Sequence, residues 1–265
     1  MLGNIARSVS NDVEKFTPRF AFSVCTVVND PTQYEAMLSS FLSAGFDTTD
    51  CEYLRADNSD GNRLDCFGAY NRFLTEARGK YIILCHQDVE LKHDNRAVLE
   101  SRIEELNERD PSWALCGNAG STVHGVATVR ISDRYGADQR LGNFPVQVQS
   151  LDENFILAKR SANLAASADV KGFHFYGTDL CIIASILGWN SYVVDFHLLH
   201  KGQGTIGPDF IQLQQELEAK YAHAFRRRWI KTTVASVLVG GGALRLGVKW
   251  QLRKLRRKPE RHGIG

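Results

Sequence analysis

His86, Gln87 and Asp88 stand directly after the run Lys80-Tyr81-Ile82-Ile83-Leu84-Cys85. An imidazole and a carboxylate two residues apart are a metal-competent pair. Asp88 also has a plainer use, capping the turn that follows a strand, and its residue type alone does not separate the two. Its place in the chain says more. The apolar or near-apolar stretch Tyr81 to Cys85 reads as a strand buried on both faces. Such a strand delivers the residues after it to the carboxyl edge of a sheet, where open α/β sheets bind ligands. Two earlier strands should end in polar groups on the same edge, Asn29 in one and Asp57 with Asn58 in the other.

The elements that would position these groups follow from local pattern. Phe20 to Val28 is rich in β-branched and aromatic residues and predicts a strand. Pro31 opens a helix that Gly45 ends. Cys51 to Ala56 predicts a strand, Leu64 to Ala77 a helix, and residues 80–85 the next strand. This β-α-β-α-β order with short connections implies a parallel sheet with crossover helices. Further on, the pattern predicts a helix over 95–108 and strands at 113–116, 123–131, 146–148 and 155–158, with a Gly-rich polar turn over 132–145. Helices are expected over 160–168, 180–187 and 209–229, and a last strand over 192–194.

Composition narrows the class. The 265 residues are 43% hydrophobic and 23% charged, which suits a globular chain with a sizeable core. The six cysteines are scattered, form no Cys-x-x-Cys pair, and sit mostly in apolar runs, so a reducing, cytoplasmic setting is expected. Asp12, Glu14 and Lys15 interrupt the first 20 residues, which lack the apolar core of a secretory signal. The net charge of +2 hides an asymmetry. From Phe225 onward there are 12 Lys or Arg and one acid, while the rest carries 20 basic and 29 acidic residues. Such a tail calls for an anionic partner.

Several short motifs share one resemblance. Asp57-Asn58-Ser59, Ala69-Tyr70-Asn71, Ala77-Arg78-Gly79-Lys80-Tyr81-Ile82, His86-Gln87-Asp88 and Thr178-Asp179-Leu180-Cys181 with Gly188 come in this order. Over roughly residues 20 to 205 the chain thereby resembles the inverting family 2 glycosyltransferases of the GT-A fold. The resemblance implies a Rossmann-like, mostly parallel α/β sheet and transfer of a sugar from a nucleotide-diphosphate donor (a UDP-, GDP- or dTDP-sugar) to a hydroxyl of a glycan or glycolipid. It implies that Asp88 and His200 hold a divalent cation, Mn2+ or Mg2+, that offsets charge on the leaving diphosphate. His197 competes for the role of His200. The family's motif has Asp where this chain has His86, and whether His86 takes part stays open. The resemblance further implies Asp179 as the base that takes the acceptor's proton; read from the residues alone, Asp179 is equally a helix N-cap. Val28, Asn29, Asp57, Asn58, Asn71 and Gln87 are the expected nucleotide-sugar contacts, with Lys201 adding charge beside the diphosphate. Tyr176 is an expected acceptor contact, and Asp152 and Glu153 are further candidates toward donor or acceptor. Gly177-Thr178 replaces the family's acidic pair, and residues 117–150 match nothing specific.

The expected organisation is a polar lead-in over 1–19, the GT-A domain over 20–208, and a basic, helical extension over 209–265. Thirteen uncharged residues within Trp229–Trp250 are too few to span a bilayer as a helix. Flanked by tryptophan and basic residues, they suit an anionic membrane surface, on the inner face of the plasma membrane, rather than nucleic acid. Cell-envelope polysaccharide synthesis would place an acceptor there. The alternatives are a membrane-docked binding protein without activity and a sugar nucleotidyltransferase. The latter wants a glycine- and basic-rich loop after the first strand, where this chain has Asn29-Asp30-Pro31.

Overall fold

A computed structural model of the chain describes residues 18–61, 63–202, 204 and 206–240. The chain divides into two compact units, Met1–Gln214 and Gln215–Gly265. The first opens with β1 (Phe20–Val28), α1 (Pro31–Ser43), β2 (Cys51–Asp57), α2 (Cys66–Glu76) and β3 (Gly79–Cys85), the order that the sequence predicts. It continues with β4 (Val89–Glu90), α3 (Arg96–Arg109), β5 (Trp113–Gly117), β6 (Ala119–Ser121), β7 (Ala127–Asp133) and β8 (Asp138–Leu141). After these come β9 (Val146–Val148), β10 (Ser150–Leu151), β11 (Phe155–Lys159), α4 (Tyr176–Ile186), β12 (Asn190–Val193) and β13 (Leu198–His200). Helix α5 (Pro208–Ala224) carries the division between the units, and β14 (Arg228–Lys231) and β15 (Ser236–Val239) follow it.

The main sheet has seven strands in the order β2-β1-β3-β11-β5-β12-β9. β1 pairs in parallel with β2 and β3, and β12 with β5. β11 runs antiparallel between β3 and β5, and β9 runs antiparallel at the edge. A second sheet, β10-β6-β7-β13-β4 with β8 beside β7, brings His200 opposite Val89. The fold is therefore the α/β, mostly parallel GT-A type.

Local chemistry explains the parallel half. β3 and β5 are buried along nearly their whole length, and continuous apolar runs suit strands covered on both faces. Asp30, Asp65 and Asn95 cap α1, α2 and α3, each accepting from backbone N–H groups of the first turn. Gly45 and Gly188 follow α1 and α4 at φ +94° and +86°, a region that other residues enter only with strain. All six cysteines are free and buried, on β1, β2, α2, β3, β5 and α4.

Four sequence expectations fail. Residues 160–168 form one 3-10 turn, Arg160–Ala162, and then run without helix, because their backbone groups bind side chains elsewhere. The Ala166 N–H donates to Asn71 and the Ser167 N–H to Asp179, so the ladder a helix needs is already spent. The 132–145 turn contains β8, and the strand expected over 123–131 starts at Ala127. The helix expected over 209–229 ends at Ala224, and β14 and β15 pair as an antiparallel hairpin in place of a helical extension. Val-, Ile- and Thr-rich residues around a tight turn favour that outcome. The rest of the tail, 241–265, and most of the lead-in, 1–17, lie outside the described residues.

Candidate metal and nucleotide-sugar site

The ends of β1 and β3 are fastened to each other. Gln87 Oε1 accepts from the backbone N–H of both Asn29 and Asp30 at 2.9 Å, and Gln87 Nε2 donates to Asn29 Oδ1. The end of β2 joins through the Asn58 N–H, which donates to Val28 O at 2.7 Å. Asn58 is buried, and its side chain spans its own loop, donating to Leu64 O at 2.7 Å and accepting from Leu64 N–H at 3.1 Å. Asp57 is exposed and accepts from the N–H and hydroxyl of Ser59. A cavity of about 210 Å³ opens over these strand ends, lined by Asn29, Asn58, Tyr70, His86, Gln87 and Asp88 among others. A larger one of about 620 Å³, around Lys80, Lys159 and Arg160 at the start of β3, touches none of these groups.

Beside that cavity, His86, Asp88 and His200 place one ligand atom each within 4.8 Å of one another. Asp88 Oδ1 lies 3.4 Å from His200 Nε2 and 3.9 Å from His86 Nδ1. It is buried and accepts no hydrogen bond. A buried carboxylate oxygen without a donor is costly, and a cation between the three residues would satisfy it. Two imidazoles and one carboxylate suit a divalent transition cation such as manganese better than magnesium, which prefers all-oxygen ligands. The strand β13 carries His200 to this place by pairing with β4. His197 points elsewhere: it is buried, 2.7 Å from Ser132 Oγ, and stacked on His93.

Charge within the cluster is mutually adjusted. Burial pushes the Asp88 carboxyl up, yet His200 and His86 outweigh it and hold it below the ordinary range. Burial opposes the charge on His200, yet Asp88 beside it leaves the pKa raised. His86 is lowered, by burial first and by the neighbouring His200 second.

Tyr176 sets the orientation of His86. Its hydroxyl stands 2.8 Å from His86 Nε2, accepts from Tyr70 at 3.1 Å, and donates to Glu153 O at 3.2 Å. With its one proton given to Glu153, the hydroxyl accepts from His86, which fixes the proton on Nε2. Nδ1, the nitrogen nearer Asp88, then keeps its lone pair for a cation. His86, left open in the sequence, thus joins Asp88 and His200. Tyr176 is fully buried and cannot meet an acceptor as expected.

Gly202 completes the enclosure. A Cβ at that position would collide with Asp88 Oδ2 and stand 3.1 Å from His200 Nε2. The Lys201 N–H donates to the backbone carbonyl of Asp88 at 3.1 Å, so the chain after β13 is tied to the turn that carries Asp88.

Other expected residues have structural partners. Both ends of the Asn71 amide bind Ala166, at 3.0 and 2.7 Å, and that amide holds a loop rather than a ligand. Lys201 Nζ pairs with Glu90 Oε1 at 2.7 Å. Asp179 is fully buried on α4, and its oxygens accept from Ser167. Its carboxylate faces no open cleft, which corrects the expectation of a base there. A different acid occupies the start of α4. Burial first, and then the charge of Asp152, push the Glu153 carboxyl up to about 8, outweighing the opposite pull of the backbone N–H groups of Gly177, Phe175 and Tyr176 near it. The sequence offers one signal of this, the small Gly177 where an acid is expected.

No family model matches the chain. It is 41% identical over 227 residues to the "ATP synthase subunits region ORF 6" protein of Fuscovulum blasticum, covering 83% of this chain and 91% of that one. The chain belongs to the family of that protein. The relative's description gives a gene neighbourhood and no activity. Among solved structures, S. aureus TarS residues 1–349 match with a TM-score of 0.51 at 11% identity, over 77% of this chain and 66% of that one. A longer TarS structure matches with the same TM-score, and the chain spans 40% of its length. At that identity the likeness extends to the fold, which is the glycosyltransferase GT-A type.

Proposed function

We propose that the protein is a cation-dependent glycosyltransferase that moves a sugar from a nucleoside-diphosphate sugar to a hydroxyl acceptor. The observation that carries this reading is the orphaned Asp88 Oδ1 between His86 and His200, at the carboxyl edge of a parallel sheet and beside a cavity. His86, Asp88 and His200 would hold the cation. When bound, it offsets the charge that builds on a leaving diphosphate. Val28, Asn29, Asp57, Asn58 and Gln87 would border the nucleoside, where the Gln87 clamp keeps β1 and β3 ends in fixed relation. Lys201, tied to Glu90, contributes positive charge at the rim rather than a direct contact.

The finer reading includes a glycan or glycolipid acceptor in envelope polysaccharide synthesis, and work at the inner membrane face. The second unit supports it. Trp229, Ile230, Val234 and Val237 are exposed on the hairpin, close in sequence to Arg226, Arg227, Arg228 and Lys231. Apolar residues amid basic ones suit an anionic bilayer surface. Among the described residues no helix is long and apolar enough to cross a membrane.

Thermal melts with UDP, GDP and dTDP, each with and without MnCl2, test the donor site. One nucleotide should raise the melting temperature, and only with the cation. The corresponding sugar nucleotides should then be hydrolysed slowly with manganese. Hydrolysis undiminished in Asp88→Ala would remove the cation assignment. Binding without hydrolysis or transfer would leave a non-enzymatic nucleotide-binding protein.

A further inference from the structure

A second cavity, of about 350 Å³, is lined by residues on either side of Tyr176 in the chain and by Glu153, whose backbone carbonyl accepts from the Tyr176 hydroxyl. Gly120, Val129, Asp152, Glu153, Phe175 and Thr178 line it, with Phe210 at its wall. Three features single it out. The Phe175 backbone is left-handed at φ +64°, a strained state for a bulky residue and one that recurs at functional sites. The Phe175 ring packs on Phe210 with centroids 4.5 Å apart, giving an aromatic wall. Gly177 keeps the place at the start of α4 clear: a Cβ there would run into Leu151 O and stand 3.3 Å from Glu153 Cγ.

The carboxylates nearby differ in what they are free to do. Asp179 is buried against Ser167. Asp152 Oδ1 accepts from both the N–H and the amide of Asn154. Glu153 lines the cavity and belongs to the chain segment whose carbonyl Tyr176 connects to His86.

We propose that this cavity is the acceptor subsite and that Glu153 is the general base, an assignment that rests on the transfer reading. The acceptor is a hydroxyl-bearing, sugar-like molecule whose apolar face lies on the Phe175–Phe210 wall. Its oxygen bonds to the anomeric carbon of the donor sugar while Glu153 takes the hydroxyl proton. The bond from that carbon to the diphosphate oxygen breaks, and the electron pair leaves with the diphosphate. Glu153 then returns the proton to solvent. A base pKa near the working pH favours such proton transfer, and about 8 meets that condition. The titratable groups facing Glu153 are Asp152 beside it, Cys66 and Tyr70 on α2, and Tyr176 on α4; burial raises the last three, keeping them neutral.

The test uses the full chain, MnCl2, and UDP-glucose, UDP-N-acetylglucosamine, GDP-mannose and dTDP-glucose, with water in the acceptor's place. For the donor hydrolysed, Glu153→Gln should lower kcat about 100-fold or more, Glu153→Asp should restore part of it, and the UDP–Mn2+ thermal shift should persist. In the wild type kcat/KM should climb with pH to about 8, and this limb should vanish in Glu153→Gln. A folded Glu153→Gln protein that hydrolyses within about twofold of wild type, with the same pH limb, overturns the base assignment alone. A wild-type protein inert toward every donor overturns the transfer reading, and this inference with it.

Discussion

Ser167 takes both oxygens of Asp179, one through its hydroxyl at 2.6 Å and one through its backbone N–H at 2.7 Å. The bond ties α4 to the segment after β11. Asp179→Ala leaves a buried N–H and hydroxyl without a partner, which costs about 1–3 kcal/mol. Urea unfolding should show that loss, with Asp179→Asn milder, while the Mn2+-dependent nucleotide shift is retained by the folded fraction.

Tyr176→Phe removes the acceptor that fixes the proton on His86 Nε2. Manganese affinity should fall about 10–100-fold, as is usual when a group orienting a metal-bound histidine is lost. Isothermal titration with MnCl2 reads it directly, and unchanged affinity would dismiss the tautomer argument.

Gly202→Ala sets a methyl group against Asp88 Oδ2. The Mn2+-dependent thermal shift should be lost. Gly204→Ala is the control, since a Cβ there meets nothing within 4 Å. Equal behaviour of the two variants would show that crowding of Asp88 is not what the glycine avoids.

Glu153 also links pH to stability. Its pKa is raised to about 8 in the folded protein, above the ordinary glutamate range of the unfolded chain. Between those values the folded state holds a proton that the unfolded state has lost. The associated stability is therefore present at low pH and declines as pH rises toward about 8. Glu153→Gln, with no proton to lose, should show a flatter profile over that window in chemical denaturation. A wild-type profile as flat as the variant's would contradict the raised value.

The hairpin offers a test that needs no measurement of activity. Flotation with phosphatidylcholine vesicles containing phosphatidylglycerol should recover the protein, and Trp229→Glu with Val234→Glu should reduce that recovery. Equal flotation of the two, or none on anionic vesicles, would remove the membrane assignment.

Much of the parallel half was legible because its signals are local. Phe20–Val28 matches its strand residue for residue, and Pro31 and Gly45 mark the helix that follows. Asp88 was legible as a strand-end residue, whereas His200 came only from the family resemblance, because the short strand β13 that carries it, Leu198–His200, has too few residues to show a pattern. Direction and partner choice were not legible. Nothing in Phe155–Lys159 states that it enters antiparallel between β3 and β5, since a short apolar run fits either sense. Residues 160–168 have helical propensity, and Asn71 and Asp179 override it from elsewhere in the chain. Asp179 and Glu153 show the same limit in the site. Sequence gives a carboxylate its position, while burial decides whether it faces a cavity or the core.

The six buried thiols give the chain an internal clock for opening. Each sits on a different element, and none is exposed in the folded state. An alkylating reagent can reach them only when the element carrying each one opens, so the rate of labelling at each cysteine follows the free energy of that opening. Peptide mapping after timed alkylation would rank β1, β2, α2, β3, β5 and α4 by how readily each departs from the core, with no substitution made.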